Sequence, residues 1–427
     1  MIMQLSHSRS SCFRIFLMAL GVVLCAGMSR PAMAEAPLCV NTTGTSGCYS
    51  TIQAAVAAAK PSDTILVAPG TYDEDVMISH PVTLIGASPS TTIINASGLS
   101  NGIYVDGRDN PGLSAVVVSG FTVENAGHEG ILVTNATAIV VQNNIVMDND
   151  KDLQAGPPPS CTDLPSFEVP GENMDCGEGI HLLAVNHSSV AGNTVQNNAG
   201  GILLSDETGP TFDNLVASNT VKDNIADCGI TLASHHVHTG IYDNTIADNL
   251  STGNGLNGKG AGVGLFCPFP YTRVSGNVVS GNRLISNGGP GVALHSHAPY
   301  QDLNDNVITA NQISGNGADN PGAPSANETA GINVYGVSNI TGTVISHNVI
   351  SNEEADIVVN TNARVDANLN DLLGGNNGAY GVFNNGSGSV DARRNWWGCT
   401  SGPNTGDCSS VTGPHVFFVP WLQTPLP

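Results

Sequence analysis

Charge is scarce in this sequence and aromatic rings are scarcer. Asp, Glu, Lys and Arg make up 11% of 427 residues, and Phe, Trp and Tyr only 5%. So little aromatic mass, set beside 50 glycines, excludes a large core of interlocking rings. Basic residues are the poorest class, 13 against 35 acidic ones, for a net charge of −22. A field of that sign repels nucleic acid and anionic membranes. It also argues against a polyanionic substrate unless Ca²⁺ bridges the charges. No CxxC occurs, which removes zinc-ribbon and thioredoxin chemistry. Only one long apolar run exists, "IFLMALGVVLCAGM", and it follows Arg9 and Arg14 and precedes "AMA" at 32–34. That arrangement reads as an export signal over residues 1–34, not as a membrane span. Without it the balance is 10 basic against 35 acidic residues, or −25.

Eight cysteines then remain, in near-neighbour pairs. In an oxidising compartment they are expected to pair locally, Cys39–Cys48, Cys161–Cys176, Cys228–Cys267 and Cys399–Cys408. The protein is accordingly expected to be secreted or periplasmic.

What the sequence has in abundance is repetition. One phrase, N-x-[VIL]-x-x-N, starts at Asn144, Asn193, Asn219, Asn244, Asn277 and Asn306, with a shortened copy at Asn348. A second, Gly-[IV]-x-[LV], starts at 130, 179, 201, 229, 262, 291 and 331, with a degenerate "DIVV" at 356. The shortest spacing approximates one structural rung, and longer ones add an insertion. Short alternating segments with Asn and Gly at the corners cannot bury an apolar side alone and must stack on identical neighbours. Asn suits such corners because it tolerates the left-handed conformation, and stacked amides can form ladders. The expected fold is all-β, a single-stranded right-handed parallel β-helix of about eleven coils. Its expected parts are an N-terminal cap and first coils over 35–100, repeats over 101–398, and a C-terminal cap over 399–427.

Two further stretches carry a resemblance. "YSTIQAAVAAAKPSDTILVAPGTYDEDVMISHPVTLIGA" at 49–87 resembles the opening of pectin-lyase-like right-handed β-helix proteins, with Ile52 and Val56 at helical spacing. "NWWG…GPHVFFVPWL" at 395–422 is similar to the C-terminal cap of many secreted bacterial β-helix proteins. The resemblance implies a fold but not an activity, because that superfamily includes lyases, hydrolases, esterases, epimerases, adhesins and a periplasmic group linked to copper delivery. The Q-D-T of pectin methylesterases, the D-P-H-D of mannuronan epimerases and the paired-Asp strand of polygalacturonases are all missing.

Within Gly-Ile-x-Leu, Ile and Leu face the core and the residue between them faces out. The first outward column is Leu132, His181, Leu203, Thr231, Gly264, Ala293 and Asn333; the second is Thr134, Leu183, Ser205, Ala233, Phe266, His295 and Tyr335. By the resemblance this sheet floors a substrate groove. Six residues past the rung's Gly fall Glu207 and His235, one rung or about 4.8 Å apart, so a contact between them is expected. A carboxylate beside a histidine orients the ring and raises its pKa, which is the arrangement of a general acid or base. The catalytic candidates are Glu178, His181, Asp206, Glu207, His235, His236 and His295. Phe266, Asn333 and Tyr335 are the substrate-contact candidates, with Tyr271 and Tyr300 as further rings that can stack on sugars. His235, His236 and His238 on the "SHHVH" turn are the candidate metal ligands. Acidic Asp150, Asp152, Asp163 and Glu172 are candidates for Ca²⁺, and no other cofactor is expected.

The sequence therefore predicts a monomer that binds or acts on a polysaccharide or other glycan, either neutral or Ca²⁺-bridged. The alternatives are a periplasmic metal-handling protein and a non-catalytic surface β-helix.

Overall fold

The computed structural model describes residues 36–150, 177–257, 260–317, 329–338, 340–374 and 380–427. The candidates Asp152, Cys161, Asp163, Glu172 and Cys176, and the leader segment, lie outside the described residues. Pro37–Pro427 form one compact unit. Among the described residues no helix is long and apolar enough to cross a membrane.

The chain winds into a coil of short strands that pair in parallel with the equivalent strands one turn before and after. Three long sheets result, of 14, 12 and 11 strands, with a small fourth sheet of three. The 12-stranded sheet holds the Gly-[IV]-x-[LV] segments in strict register: Ile131, Ile180, Ile202, Ile230, Val263, Val292 and Ile332 are mutual partners along it. These residues are fully buried in one continuous apolar core that runs the length of the coil. The repeated glycine has a steric cause. A Cβ on Gly179 would come within 2.3 Å of Val195 Cγ1 and 2.7 Å of Asn198 Nδ2, so the backbone here presses directly on the opposite wall of the turn.

The corners are lined by asparagine ladders. One runs through Asn144, Asn193, Asn219, Asn249, Asn282, Asn311, Asn348, Asn370 and Asn395, each amide donating to the next at 2.9–3.1 Å. A second runs Asn149, Asn198, Asn224, Asn254, Asn287, Asn316 and ends on Glu353. A third joins Asn214, Asn244, Asn277 and Asn306. The repeated phrase thus serves different corners: Asn144 begins it in the first ladder, Asn244 in the third. The ladder asparagines are not themselves left-handed, as the sequence suggested. That conformation falls on the preceding residue, such as Asn143, Asp223 or Asp248 at φ 54–57°, which turns the chain so that the following amide points inward.

The one helix of the described residues, Ile52–Ala58, begins at Thr51, whose hydroxyl accepts from Ala54 N. The Glu74 carboxylate accepts from the amides of Ile52 and Gln53 at 2.7 and 2.9 Å, placing negative charge at the positive helix end. Its buried face, Ile52, Ala55 and Val56, joins the main core. At the other end Trp397 is fully buried in the same core.

Disulfides join Cys39 to Cys48 and Cys399 to Cys408. No disulfide joins Cys228 to Cys267, which corrects the sequence expectation. The register explains why: Ile230 partners Val263, so Cys228 lies two residues before that pair and Cys267 four residues after it. Six residue positions separate them along the strand direction, about 20 Å at ~3.3 Å per residue, far beyond the reach of a disulfide.

Candidate active site on the outer sheet face

The outer face of the 12-stranded sheet carries the candidate residues. The register argument pairs Glu207 with His235, and the two are hydrogen-bonded, Nδ1 to Oε1 at 2.7 Å. The contact continues beyond that pair. The second Glu207 oxygen accepts from the Ser205 hydroxyl at 2.5 Å. Ser205 Oγ lies 2.8 Å from His181 Nε2, and His181 Nδ1 lies 3.5 Å from Glu129 Oε1. Glu178 closes the far end, with ligand-type atoms of Glu129, Glu178 and His181 all within 4.8 Å of one another. A single run of polar side chains therefore crosses four successive rungs, from Glu129 to His235.

Why these residues meet follows from strand pairing. Leu132 partners His181 and Leu183 partners Ser205, so one column supplies the histidine and the next the serine. Glu207 and His235 stand two residues beyond Ser205 and Ala233, which are themselves partners. The run is buried, with His181 at 2% and Glu129 at 1% exposure. Burial alone would raise the Glu207 carboxyl. The hydrogen bond and charge of His235, then His181 when it is protonated and the Ser205 hydroxyl, bring it below its ordinary value instead.

Asp206 has a different occupation. It accepts from the Ser234 and Thr239 hydroxyls and from the amides of His235, His236 and Gly240, at 2.6–3.1 Å. Those five bonds fasten the "SHHVH" turn to the preceding rung. Burial nonetheless raises its pKa, against the Thr239 and Ser234 bonds, and the Glu207 charge adds to the rise. On the turn itself His235 points in, while His236 and His238 are exposed. Among the described residues the group of three close ligand-type side chains is Glu129, Glu178 and His181, not these histidines.

Further along, the second column becomes aromatic. Phe266, His295 and Tyr335 are partners on consecutive rungs. Phe266 meets His295 edge-on at 5.5 Å and His295 meets Tyr335 at 5.9 Å, with His297 beside all three. The Phe266 ring folds over Gly264, where a Cβ would come within 2.2 Å of it. Asn333, His181 and the other non-glycine members of the first column are buried rather than open, so that column is not an exposed groove floor. Tyr271 and Tyr300 stack at 5.2 Å beside the turn and are 53% and 72% exposed. Asp150, a Ca²⁺ candidate, accepts from the Ala199 amide.

A model of the right-handed β-helix region matches residues 84–266. Among solved structures, the chain is similar to the DFA-IIIase of Arthrobacter chlorophenolicus A6, without its lid and in complex with GF2. The identity is 13% over 83% of this chain and 88% of that one, with a TM-score of 0.56. This chain is a right-handed parallel β-helix. The β-helix is also similar to the same DFA-IIIase in complex with DFA-III, at 11% identity over 83% and 95% of the two chains and a TM-score of 0.51. The A-module of the Azotobacter vinelandii mannuronan C-5 epimerase AlgE6 aligns at 16% identity over 88% and 95%, with a TM-score of 0.48. No curated protein matches the sequence.

Two residues of the β-helix's polar run escape the sequence reading. Glu129 has a visible signal, since Glu-Gly-Ile occurs at 129–131 and again at 178–180. Only the second copy draws attention, because a histidine follows it. Ser205 stands in the outward column but looks like an ordinary strand serine until its neighbours on both sides are known.

Proposed function

We propose that the protein binds and processes a carbohydrate along the outer face of the 12-stranded sheet. The observation that carries this reading is the continuity of one column. Ser205, Ala233, Phe266, His295 and Tyr335 are successive partners, so the carboxylate–histidine run leads directly into a column of rings. Aromatic faces stack on the apolar side of sugar rings, and the adjacent acid–base groups supply proton transfer. With Nδ1 held by Glu207, the second nitrogen of His235 is the one that gives or takes a proton at a glycosidic or ring oxygen. Tyr271 and Tyr300 extend the aromatic surface at the turn. Solved neighbours of this fold include carbohydrate-active enzymes, which supports the same class. The net charge of −22 favours a neutral glycan, or an acidic one bridged by Ca²⁺. Two disulfides support a secreted or periplasmic location.

The test is a glycan array read with and without Ca²⁺, followed by turnover assays on any glycan retained. Tyr335→Ala and Tyr300→Ala should each weaken retention about tenfold, the cost of losing one stacking ring. Glu207→Gln should keep retention and lose turnover by about 10²-fold or more. Absence of retention under both conditions overturns the reading. Retention without turnover reduces it to a carbohydrate-binding protein.

A further inference from the structure

The geometry points to a transition-metal site formed by Glu129, Glu178 and His181, separate from the "SHHVH" turn. Three observations converge there. The three side chains offer two carboxylates and one imidazole with all ligand atoms within 4.8 Å. Neither Glu129 oxygen nor His181 Nδ1 has a hydrogen-bond partner, although both residues are about 98% buried or more. The 3.5 Å between them exceeds a charge-assisted hydrogen bond of ~2.7–2.9 Å. Buried polar atoms left so are uncommon and costly.

The third observation fixes the histidine tautomer. Ser205 donates its hydroxyl hydrogen to Glu207 at 2.5 Å, so toward His181 Nε2, 2.8 Å away, its oxygen acts as acceptor. Nε2 therefore carries the hydrogen, and a neutral His181 turns the lone pair of Nδ1 toward the two glutamates. A metal-binding histidine is held in this way, its far N–H given to an oxygen that sets the ring. Room beside the carboxylates is also provided. Glu178 partners Gly200 in the next rung, and a Cβ there would come within 3.2 Å of Glu178 Oε1.

Two carboxylate oxygens and one imidazole nitrogen suit a divalent first-row ion such as Zn²⁺, Co²⁺ or Mn²⁺. Ca²⁺ prefers an all-oxygen shell and Cu⁺ prefers sulfur. The competing arrangement is an imidazolium at His181 that neutralises the glutamates without metal.

Calorimetric titration of the intact, chelator-treated protein with Zn²⁺ at neutral pH should give one tight site, with Ca²⁺ at least tenfold weaker. Glu129→Gln keeps the shape and removes one charge, and should weaken Zn²⁺ binding at least tenfold. His181→Ala should abolish it, while the His236→Ala/His238→Ala double variant should leave it unchanged. Zn²⁺ should raise the melting temperature of the unmutated protein and not that of Glu129→Gln, a readout that also reports whether the variant is folded. No binding of Zn²⁺, Co²⁺ or Mn²⁺, binding that survives both Glu129→Gln and His181→Ala, or binding lost in the His236/His238 variant would each overturn the assignment.

Discussion

The asparagine corners and the outer sheet face are both rows of buried polar side chains stacked rung on rung, yet they are built on opposite rules. In the corners every rung repeats the same residue, so each amide gives to one neighbour and receives from the other. Asn249, for example, donates to Asn282 and to the Val216 carbonyl and accepts from the side chain and backbone of Asn219. On the outer face no two successive rungs repeat the polar run except Glu129 and Glu178, and there both carboxylate oxygens of Glu129 lack a hydrogen-bond partner. A β-helix offers identical residues a stable ladder almost without cost. A row that departs from the repeat and keeps unsatisfied atoms is therefore where selection for something other than stability is legible.

The comparison depends on the common core, and the largest expected effect tests that. Ile202→Asp puts an unpaired charge into the apolar column shared by both regions, at a cost of several kcal/mol. It should unfold the protein, seen as loss of the β signal in circular dichroism at 25 °C. Melting close to the unmutated protein would show that the inward and outward faces are misassigned.

Next in size is the ladder itself. Asn249→Ala removes two donors and an acceptor from a fully buried corner and strands their partners. At ~1–3 kcal/mol for each buried group left unmatched, less what relaxes, the loss should be about 3–5 kcal/mol in denaturant unfolding. A loss under about 1 kcal/mol would deny the ladders their structural role.

A smaller effect, dependent on pH, sits where the second ladder ends on a carboxylate. Glu353 takes the position of an asparagine, accepting from the Asn316 amide and side chain. Burial, against the Asn316 and Gly315 bonds, raises its pKa to about 7. A raised folded-state pKa contributes stability below the unfolded value, near 4.5, that is lost as pH rises through about 7. Glu353→Gln should leave stability near pH 4 little changed and raise it at pH 8.5 by up to about 3 kcal/mol. A pH slope unchanged in the variant would remove Glu353 as its source.

Much of this architecture could be read from the chain because the repeat reports on register directly. Gly179, Gly201 and Gly229 mark where the backbone meets the opposite wall, and counting six positions from Gly201 and from Gly229 brings Glu207 to His235. What counting could not supply was direction within a turn and distance along a strand. His236 and His238 share a turn with His235 yet point to solvent, since a turn has no fixed alternation. Cys228 and Cys267 belong to adjacent rungs, but Cys228 precedes the strand Ile230–Ala233 and Cys267 ends the strand Val263–Cys267. Asp206 was one of three candidate carboxylate partners for a histidine, and the five bonds it accepts from the turn are visible only in three dimensions. Glu129 was hidden for a different reason: its partner His181 is 52 residues away in the chain, across the first long insertion.

The smallest expected effect separates the two regions most sharply, because its sign is opposite to that of the ladder. Glu129 is as buried as Asn249, but neither of its carboxylate oxygens has a hydrogen-bond partner, and Glu178 brings a second carboxylate close by. In metal-free buffer at neutral pH, Glu129→Gln removes one of two neighbouring buried charges while keeping the side-chain volume. The amide can donate toward Glu178 or the lone pair of His181, relieving repulsion that the ladder residues never experience. Stability should therefore stay level or rise, by up to about 1 kcal/mol, measured as the urea midpoint at constant slope. Added Zn²⁺ should then reverse the order, stabilising the unmutated protein past the variant by RT ln(1 + [Zn²⁺]/Kd). A loss of more than about 2 kcal/mol in metal-free buffer would mean that Glu129 is a structural member of its row like Asn249, and the contrast between the two faces would disappear.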